Sequence, residues 1–275
     1  MDKLIKHPKF AINQGVKIYY DVVDGDKTKD SLIFLHGLGG DSAAWDEIRL
    51  LFQEQSIPTI AIDIRGCGLS DRPGTEGSYD FGKNIDDLLA VIENENIHNP
   101  TLIGHCYGGM IAICFAAEHP DKVKNLILIE TDFKPPHYFK PVIDNVLLRK
   151  IVKLLSGHAP GIHFSQHRDF SIFKGGGDFD WKRILSDVSH TSLKTYLQIA
   201  DSLVNYNAVD LLEKITMPTL IISGMNDSVF PPSVEETLHR NIKQSHIHYI
   251  DDSNHIVVIT NPEDIFEKIN TFIGN

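Results

Sequence analysis

The stretch that decides the fold is Thr101-Leu102-Ile103-Gly104-His105-Cys106-Tyr107-Gly108-Gly109-Met110. It joins an apolar run typical of a buried strand to an apolar run typical of a buried helix, and it places one thiol at the junction. A turn this sharp projects its central side chain above the sheet, while the following helix points its amide groups at the same place. Gly104 and Gly108 lie two residues to either side of Cys106, where a β-carbon would collide with the packed strand and helix. The pattern therefore predicts that Cys106 is a nucleophile.

Short apolar runs alternate with amphipathic stretches on both sides of this junction. The predicted strands are residues 31–35, 59–62, 101–103, 126–129, 218–222 and 246–250, after an antiparallel hairpin at residues 10–23. The predicted helices are residues 44–52, 85–92, 110–117, 232–242 and 262–272. This alternation predicts an α/β fold with a mostly parallel, doubly wound sheet of about eight strands. After Ile129 the alternation stops for about eighty residues, which is too long for an ordinary loop and predicts a helical insertion.

The composition indicates one domain of 275 residues that can bury a sizeable core. The formal net charge of −11 argues against nucleic acid and anionic membrane surfaces as partners, because both attract clustered Lys and Arg. A small neutral or hydrophobic molecule fits this charge better. The sequence contains no unbroken apolar run typical of a signal peptide or a transmembrane helix, which predicts a cytoplasmic protein.

A glycine-rich loop after the first predicted core strand can bind a negatively charged oxygen. The segment His36-Gly37-Leu38-Gly39-Gly40 lets backbone amides approach such an oxygen without steric hindrance. The amides of Leu38 and Tyr107 are therefore predicted to form an oxyanion hole. The residues predicted to contact substrate are His36, Gly37, His105, Phe133, Trp181 and Val229.

An acid and a base follow the last two predicted strands, at the edge of the sheet where functional groups gather. The chain order Cys106, Asp227, His255 matches a nucleophile, acid and base triad. His255 is predicted to accept the thiol proton, and Asp227 to orient the imidazole and stabilise its charged form. Glu130 and Asp132 follow another strand and are an alternative source of the acid.

Together these residues resemble the α/β-hydrolase superfamily, in particular its capped esterase and epoxide-hydrolase-like branch. The motifs that carry the resemblance are the turn around Cys106 and residues 34–40, 63–73 and 118–123. The resemblance implies the same triad, a hydrolase core at residues 1–130 and 212–275, and a helical lid at residues 131–211. It implies no metal and no organic cofactor. Epoxide hydrolases and haloalkane dehalogenases carry aspartate at the nucleophile position, so the chain is not expected to share their chemistry.

The chain departs from this family at one position, because Cys106 stands where serine is usual. Either the enzyme natively uses a thiol, or the cysteine replaces a serine. The predicted activity is hydrolysis of carboxylic esters, and thioesters and lactones are further possible substrates. Two alternatives stay open at this point, acyl transfer through the same intermediate and a ligand-binding receptor that keeps the hydrolase shell.

Overall fold

The structure is a computed structural model that describes residues 3–274, and its centre is one eight-stranded sheet. The strands are β1 (His7–Asn13), β2 (Val16–Val23), β3 (Leu32–Leu35), β4 (Thr59–Ile62), β5 (Thr101–His105), β6 (Asn125–Ile129), β7 (Thr219–Gly224) and β8 (Ser245–Ile250). Their order across the sheet is β1-β2-β4-β3-β5-β6-β7-β8. β1 and β2 form the predicted hairpin, β2 is antiparallel to β4, and all further pairs are parallel. The predicted α/β-hydrolase fold is confirmed.

Helices cover both faces of the sheet. They are α1 (Asp46–Glu54), α2 (Phe81–Asn94), α3 (Tyr107–Glu118), α8 (Pro232–Asn241), α9 (Val257–Thr260) and α10 (Pro262–Ile273). The alternating residues of β3 show the two faces, since Ile33 packs with α2, α3 and α8, whereas Phe34 packs with α1, α9 and α10. Because β3 is buried on both faces, its sequence is a continuous apolar run.

Two helices begin before their predicted first residues. α2 begins at Phe81 rather than residue 85, and α3 begins at Tyr107 rather than residue 110. Apolar periodicity detects only the buried middle of a helix, so a polar or glycine-rich first turn is not visible to it. The first two residues of the predicted helix at 44–52 belong instead to a 3₁₀-helix at Ser42–Trp45, which precedes α1.

Four helices lie between β6 and β7, in residues 131–211, which we call the cap. They are α4 (Lys140–Asp144), α5 (Val146–His158), α6 (Trp181–Thr191) and α7 (Leu193–Val204), and both α5 and α6 pack on α7. The buried Arg168 joins the cap to the core, since its guanidinium donates to Asp41 at 3.2 Å and to the carbonyl of Gly39 at 2.5 Å. Within residues 3–274, every helix is too short or too polar to cross a bilayer.

Candidate active site

Cys106 lies in a strained turn between β5 and α3. Its backbone angles are φ 51° and ψ −115°, which a residue with a β-carbon rarely adopts. The flanking glycines make the turn possible. A β-carbon on Gly104 would lie 2.5 Å from the carbonyl oxygen of Gly108, and one on Gly108 would lie 2.4 Å from that of Leu35. The close contact of strand and helix thus requires glycine at both positions and leaves the thiol at the start of α3.

The structure brings His255 and Asp227 to this thiol. The imidazole Nδ1 of His255 lies 2.8 Å from Oδ2 of Asp227, and the ring lines the same cavity as Cys106. The second oxygen of Asp227 accepts from the amides of Val229 at 2.6 Å and Phe230 at 2.9 Å. The turn after β7 therefore fixes the carboxylate, and the carboxylate fixes the imidazole.

The electrostatics of the three groups favour a charged imidazole. Burial alone lowers the pKa of His255, but the negative charges of Cys106 and Asp227 outweigh it and raise this pKa to about 10. Burial raises the pKa of Asp227, yet the charge and hydrogen bond of His255 prevail and lower it to about 2. The site therefore holds an imidazolium beside the carboxylate of Asp227 at neutral pH.

Glu130 lies beside Asp227 and has a different role from the acid that the sequence left as an alternative. It is fully buried, its φ is 46°, and its Oε1 accepts from the amide of Gly224 at 2.6 Å. Within residues 3–274 nothing donates to its other oxygen, which is buried near Asp227. Burial, Asp227 and Glu235 raise the pKa of Glu130 well above its usual range. A protonated Glu130 can donate to Asp227, so it supports the acid rather than replacing it.

A second neutral carboxyl lies in the same region. Glu235, in the first turn of α8, is fully buried and accepts from Oγ of Ser223 at 2.7 Å. Burial raises the pKa of Glu235 to about 9, and the charge of Asp227 adds to this effect. Asp227 is consequently the only one of these three carboxyls that carries a charge at neutral pH. Sequence reasoning missed Glu235, because a glutamate near the start of a helix is normally exposed.

Three of these groups could reach a common cation. Ligand atoms of Glu130, Asp227 and His255 lie within 4.8 Å of one another. His255 Nδ1 is directed at Asp227, however, and the raised pKa of Glu130 favours a neutral carboxyl there, which is a poor metal ligand. A metal would have to break both contacts, so the donor set fits a hydrogen-bonded relay better than a metal centre.

A cavity of about 170 Å³ opens next to the thiol. The predicted oxyanion donors Leu38 and Tyr107 both line it, together with Cys106 and His255. Its other apolar and aromatic lining residues are Met110, Pro136, Tyr138, Phe179, Ile184, Tyr196, Leu203 and Val229. Six of these eight, from Pro136 to Leu203, belong to the cap. The cavity is therefore small, largely apolar and closed by the cap.

Two of the predicted substrate contacts lie at the cavity. Val229 lines it, and Gly37 lies against the nucleophile, since a β-carbon there would be 3.3 Å from Cβ of Cys106. His105 lies underneath, with Nε2 2.8 Å from the carbonyl oxygen of His255. Burial lowers the pKa of His105 to about 3, so its ring is neutral and holds the loop of the base in place.

The remaining predicted contacts lie outside the cavity lining. His36 is buried, and its Nε2 accepts from the amide of Ile64 at 3.0 Å, so it joins two loops of the core. Phe133 is packed into the core below the cap, and Trp181 is 67% exposed at the start of α6. The correction has one physical reason: position in the chain identifies the loops at the site, but not which side chains face the ligand.

Asp178 of the cap accepts hydrogen bonds from the loop of Asp227 and from the loop of His255, and sequence reasoning missed it. Its Oδ1 accepts from the amide of His255 at 2.8 Å. Its Oδ2 accepts from the amide of Ser228 at 2.8 Å and from the hydroxyl of Ser228 at 2.6 Å. The only local signal is its position after a run of glycines, which does not indicate a contact 77 residues away.

Known proteins resemble this chain in sequence and in fold. Residues 30–262 match the family model of the alpha/beta hydrolase fold. Human protein ABHD8 is 24% identical over 98% of this chain, which spans only 60% of that protein. The mouse sn-1-specific diacylglycerol lipase ABHD11 is 24% identical over 93% of this chain and 84% of that protein. An esterase from Exiguobacterium antarcticum has a TM-score of 0.77 and 24% identity, over 98% of this chain and 100% of that one.

These matches cover the same features that the structure displays. The family model spans the sheet from β3 to β8, including the turn at Cys106 and the loops of Asp227 and His255. The proteins that this chain resembles include esterases and a lipase. The chain belongs to the alpha/beta hydrolase fold family.

Proposed function

We propose that this chain hydrolyses carboxylic esters through a covalent intermediate on Cys106. The observation that carries the proposal is the buried Asp227–His255 pair, whose imidazole lines the same cavity as the cysteine at the strained turn. A thiolate stabilised by an imidazolium and by the start of a helix is a strong nucleophile at neutral pH. Esterases and lipases among the relatives support the same reaction class.

The proposed reaction begins with attack of the Cys106 sulfur on the ester carbonyl carbon. The carbonyl electrons move to oxygen, and the amides of Leu38 and Tyr107 stabilise the resulting oxyanion. As the oxyanion collapses, the carbon–oxygen bond to the alcohol breaks and His255 gives its proton to the leaving oxygen. The product of this half-reaction is a thioester on Cys106.

The second half-reaction releases the acid. The imidazole of His255, now neutral, accepts a proton from water as the water oxygen attacks the thioester carbon. Collapse of the second oxyanion breaks the carbon–sulfur bond and returns the thiolate and the imidazolium. Asp227 keeps its negative charge throughout and stabilises the imidazolium.

The cavity supports a small, largely apolar substrate. About 170 Å³ next to the thiol accommodates a short acyl or alcohol group, and its walls are mainly aliphatic and aromatic. Thioesters and lactones present the same carbonyl to the sulfur and are further proposed substrates.

The experiment that tests the proposal is intact-mass analysis during turnover of nitrophenyl acetate and nitrophenyl butyrate. We expect one acyl group on the wild-type chain that disappears as the ester is consumed, and no acyl group on Cys106→Ala. Cys114→Ala is the matched control, because that thiol is buried on α3 and burial raises its pKa to about 12. Full ester cleavage by Cys106→Ala would overturn the proposal.

Cys106→Ser answers a separate question, whether the thiol is native to the site. A serine variant that turns over much faster than the wild type indicates that the site is built for serine. A slower one indicates that the site is adapted to sulfur.

A further inference from the structure

A buried arginine of the cap binds the loop that carries a proposed oxyanion donor. Arg168 is 7% exposed, and its Nη2 donates to the carbonyl oxygen of Gly39 at 2.5 Å. Its Nε donates to Asp41 at 3.2 Å, and its Nη1 donates to Asp187 of the cap at 2.5 Å. Three nitrogens of one guanidinium therefore reach three acceptors, and two of these acceptors lie in the loop that follows β3.

One turn of this loop links the guanidinium to the amide of Leu38. The carbonyl of Gly39 and the amide of Gly40 belong to one planar peptide unit, so a donor held at the carbonyl fixes the direction of the N–H. That N–H donates to the carbonyl oxygen of Gly37 at 3.0 Å. The carbonyl of Gly37 and the amide of Leu38 form a second planar unit, in which C=O and N–H point in opposite directions. The orientation of the Leu38 amide therefore depends on the guanidinium through two peptide units.

A buried histidine of the core binds the same carbonyl of Gly37. Nε2 of His36 accepts from the amide of Ile64 at 3.0 Å, so the proton of the neutral ring is on Nδ1. Nδ1 donates to the carbonyl oxygen of Gly37 at 2.7 Å. Burial lowers the pKa of His36, which keeps the ring neutral. The carbonyl of Gly37 thus accepts one hydrogen bond from the core and one from an amide that the cap holds in place.

The amide of Leu38 is available to a ligand. Within residues 3–274 no group accepts a hydrogen bond from it, and Leu38 lines the cavity at Cys106. A β-carbon on the preceding Gly37 would lie 3.3 Å from Cβ of Cys106. The donor therefore belongs to the part of the loop next to the nucleophile, where the carbonyl oxygen of an ester would become negative.

We infer that Arg168 is a positioning residue, which orients the proposed oxyanion donor Leu38 through the carbonyl of Gly39. The inference rests on the proposed function, because it gives Arg168 a part in the attack of Cys106 on an ester. In the observed position of the cap, the guanidinium aligns both peptide units and directs the Leu38 N–H at the oxyanion. The side chain of Arg168 lies outside the lining of the cavity, so it acts on the reaction only through the backbone.

The surroundings of Arg168 require the shape of a guanidinium as well as its charge. Asp187 binds it and also contacts the turn, since a β-carbon on Gly39 would lie 2.8 Å from Cβ of Asp187. The guanidinium carbon lies 4.5 Å from the ring centre of Phe170. Arg168→Lys keeps the charge but replaces a rigid planar fork by one ammonium on a flexible stem. The substitution therefore removes the alignment of the turn while a cation stays in the buried cluster.

Single-turnover kinetics with nitrophenyl butyrate tests the inference. We expect Arg168→Lys to lower the rate constant of acylation about thirtyfold and to change the affinity for the ester less than about twofold, because the oxyanion forms only after binding. Arg72→Lys is the matched control, since Arg72 also joins the core to the cap. Its Nη2 donates to the carbonyls of Gly68 and His190, both at 2.8 Å, and its hydrogen bonds lie outside residues 36–41.

The control separates positioning from a general loosening of the cap. Arg72→Lys should acylate at about the wild-type rate. Equal rate constants for Arg168→Lys and Arg72→Lys would overturn the inference, because any effect would then come from the contact between cap and core as a whole.

A double-mutant cycle shows whether Arg168 acts through the amide of Leu38. The φ of 74° at Gly39 is that of the second central position of a type II turn, so the first central position, Leu38, accommodates proline. Leu38→Pro removes the N–H and should slow acylation about a hundredfold. Adding Arg168→Lys should slow it by less than about twofold more, because the donor that Arg168 positions is already gone. A further loss of about thirtyfold would overturn the inference.

Failure of the proposed function gives a different result, because it is seen in the wild type. Absence of an acyl group on wild-type Cys106 would overturn the proposed function, and amide hydrogen exchange would still test the position of the turn. The amide of Gly40 should exchange about tenfold faster in Arg168→Lys than in the wild type or in Arg72→Lys, since its N–H loses its alignment with Gly37. Exchange at the wild-type rate in Arg168→Lys would overturn the inference, whether or not the ester is cleaved.

Discussion

The core and the cap differ in how many large apolar side chains they expose to solvent. Among the described residues, fourteen of the eighteen large apolar side chains that are exposed lie in the cap, although the cap is the smaller part. Charge divides in the same way. The cap carries ten Lys or Arg and eight Asp or Glu, a net charge of +2, whereas the rest of the chain carries −13.

The contacts within the core differ from those that join the cap to it. In the core, strands buried on both faces and helices packed against them fix the fold through apolar burial. The cap is joined to the core by buried apolar side chains such as Ile199 and Phe170, and by polar contacts such as that of Arg168 with Asp41. We therefore expect substitutions in the core to affect chemistry and stability, and most substitutions on the cap surface to affect neither.

The largest expected effect is on the chemistry of the core. Asp227→Asn should lower kcat/KM for a nitrophenyl ester about ten-thousandfold, because an amide at this position favours the wrong tautomer of His255. Steady-state kinetics on the purified variant measures it. Asp251→Asn, an exposed residue at the end of β8, is the control and should keep wild-type activity. A loss of less than tenfold for Asp227→Asn would assign the acid to another residue.

The second effect compares packing in the two regions. Ile127→Ala in β6 removes a fully buried side chain and should lower the free energy of unfolding by about 2–5 kcal/mol. Leu147→Ala removes a side chain that is 67% exposed in the cap and should change it by less than about 0.5 kcal/mol. Urea denaturation of both variants tests the comparison. A similar loss of unfolding free energy in both variants would mean that Leu147 is packed against other side chains in solution.

The third effect is the pH dependence of stability that Glu235 causes. In the folded chain its pKa is about 9, above its usual value of 4.5, so the folded state keeps a proton that the unfolded state releases. Stability is therefore lost as the pH rises from about 5 towards 9. Glu235→Gln removes this loss, and its stability relative to wild type should increase by about 4 kcal/mol between pH 5 and pH 8.

Urea denaturation at the two pH values measures this change. Glu236→Gln is the matched control, because Glu236 is exposed on the same helix. A pH dependence unchanged by Glu235→Gln would show that Glu235 is ionised in the folded state.

The smallest expected effect is that of a cap residue on the kinetics of the active site. Asp178→Ala removes the acceptor for the amides of His255 and Ser228 and should lower kcat/KM about tenfold, since it misplaces the base. Asp210→Ala, an exposed cap residue, should leave kinetics unchanged. Equal kinetics for the two variants would mean that the core alone holds the catalytic loops.

The same comparison explains how much the sequence predicts. The strands follow from their continuous apolar runs, and the positions of Cys106, Asp227 and His255 follow from the rule that functional loops end parallel strands. The protonation of Glu130 and Glu235 depends on contacts between distant residues, which periodicity does not encode. The same holds for Asp178. The length of the insertion predicts helices there but neither their bounds nor which faces are covered, so the exposure of Leu147 on α5 emerges only from the structure.

Asp178 contacts both loops that carry Asp227 and His255, so a displacement of this part of the cap would loosen the two loops together. Under the proposed function, a ligand that enters by displacing Asp178 reaches the thiol while His255 is held less firmly. The rate at which the cap returns would then set an upper bound on turnover.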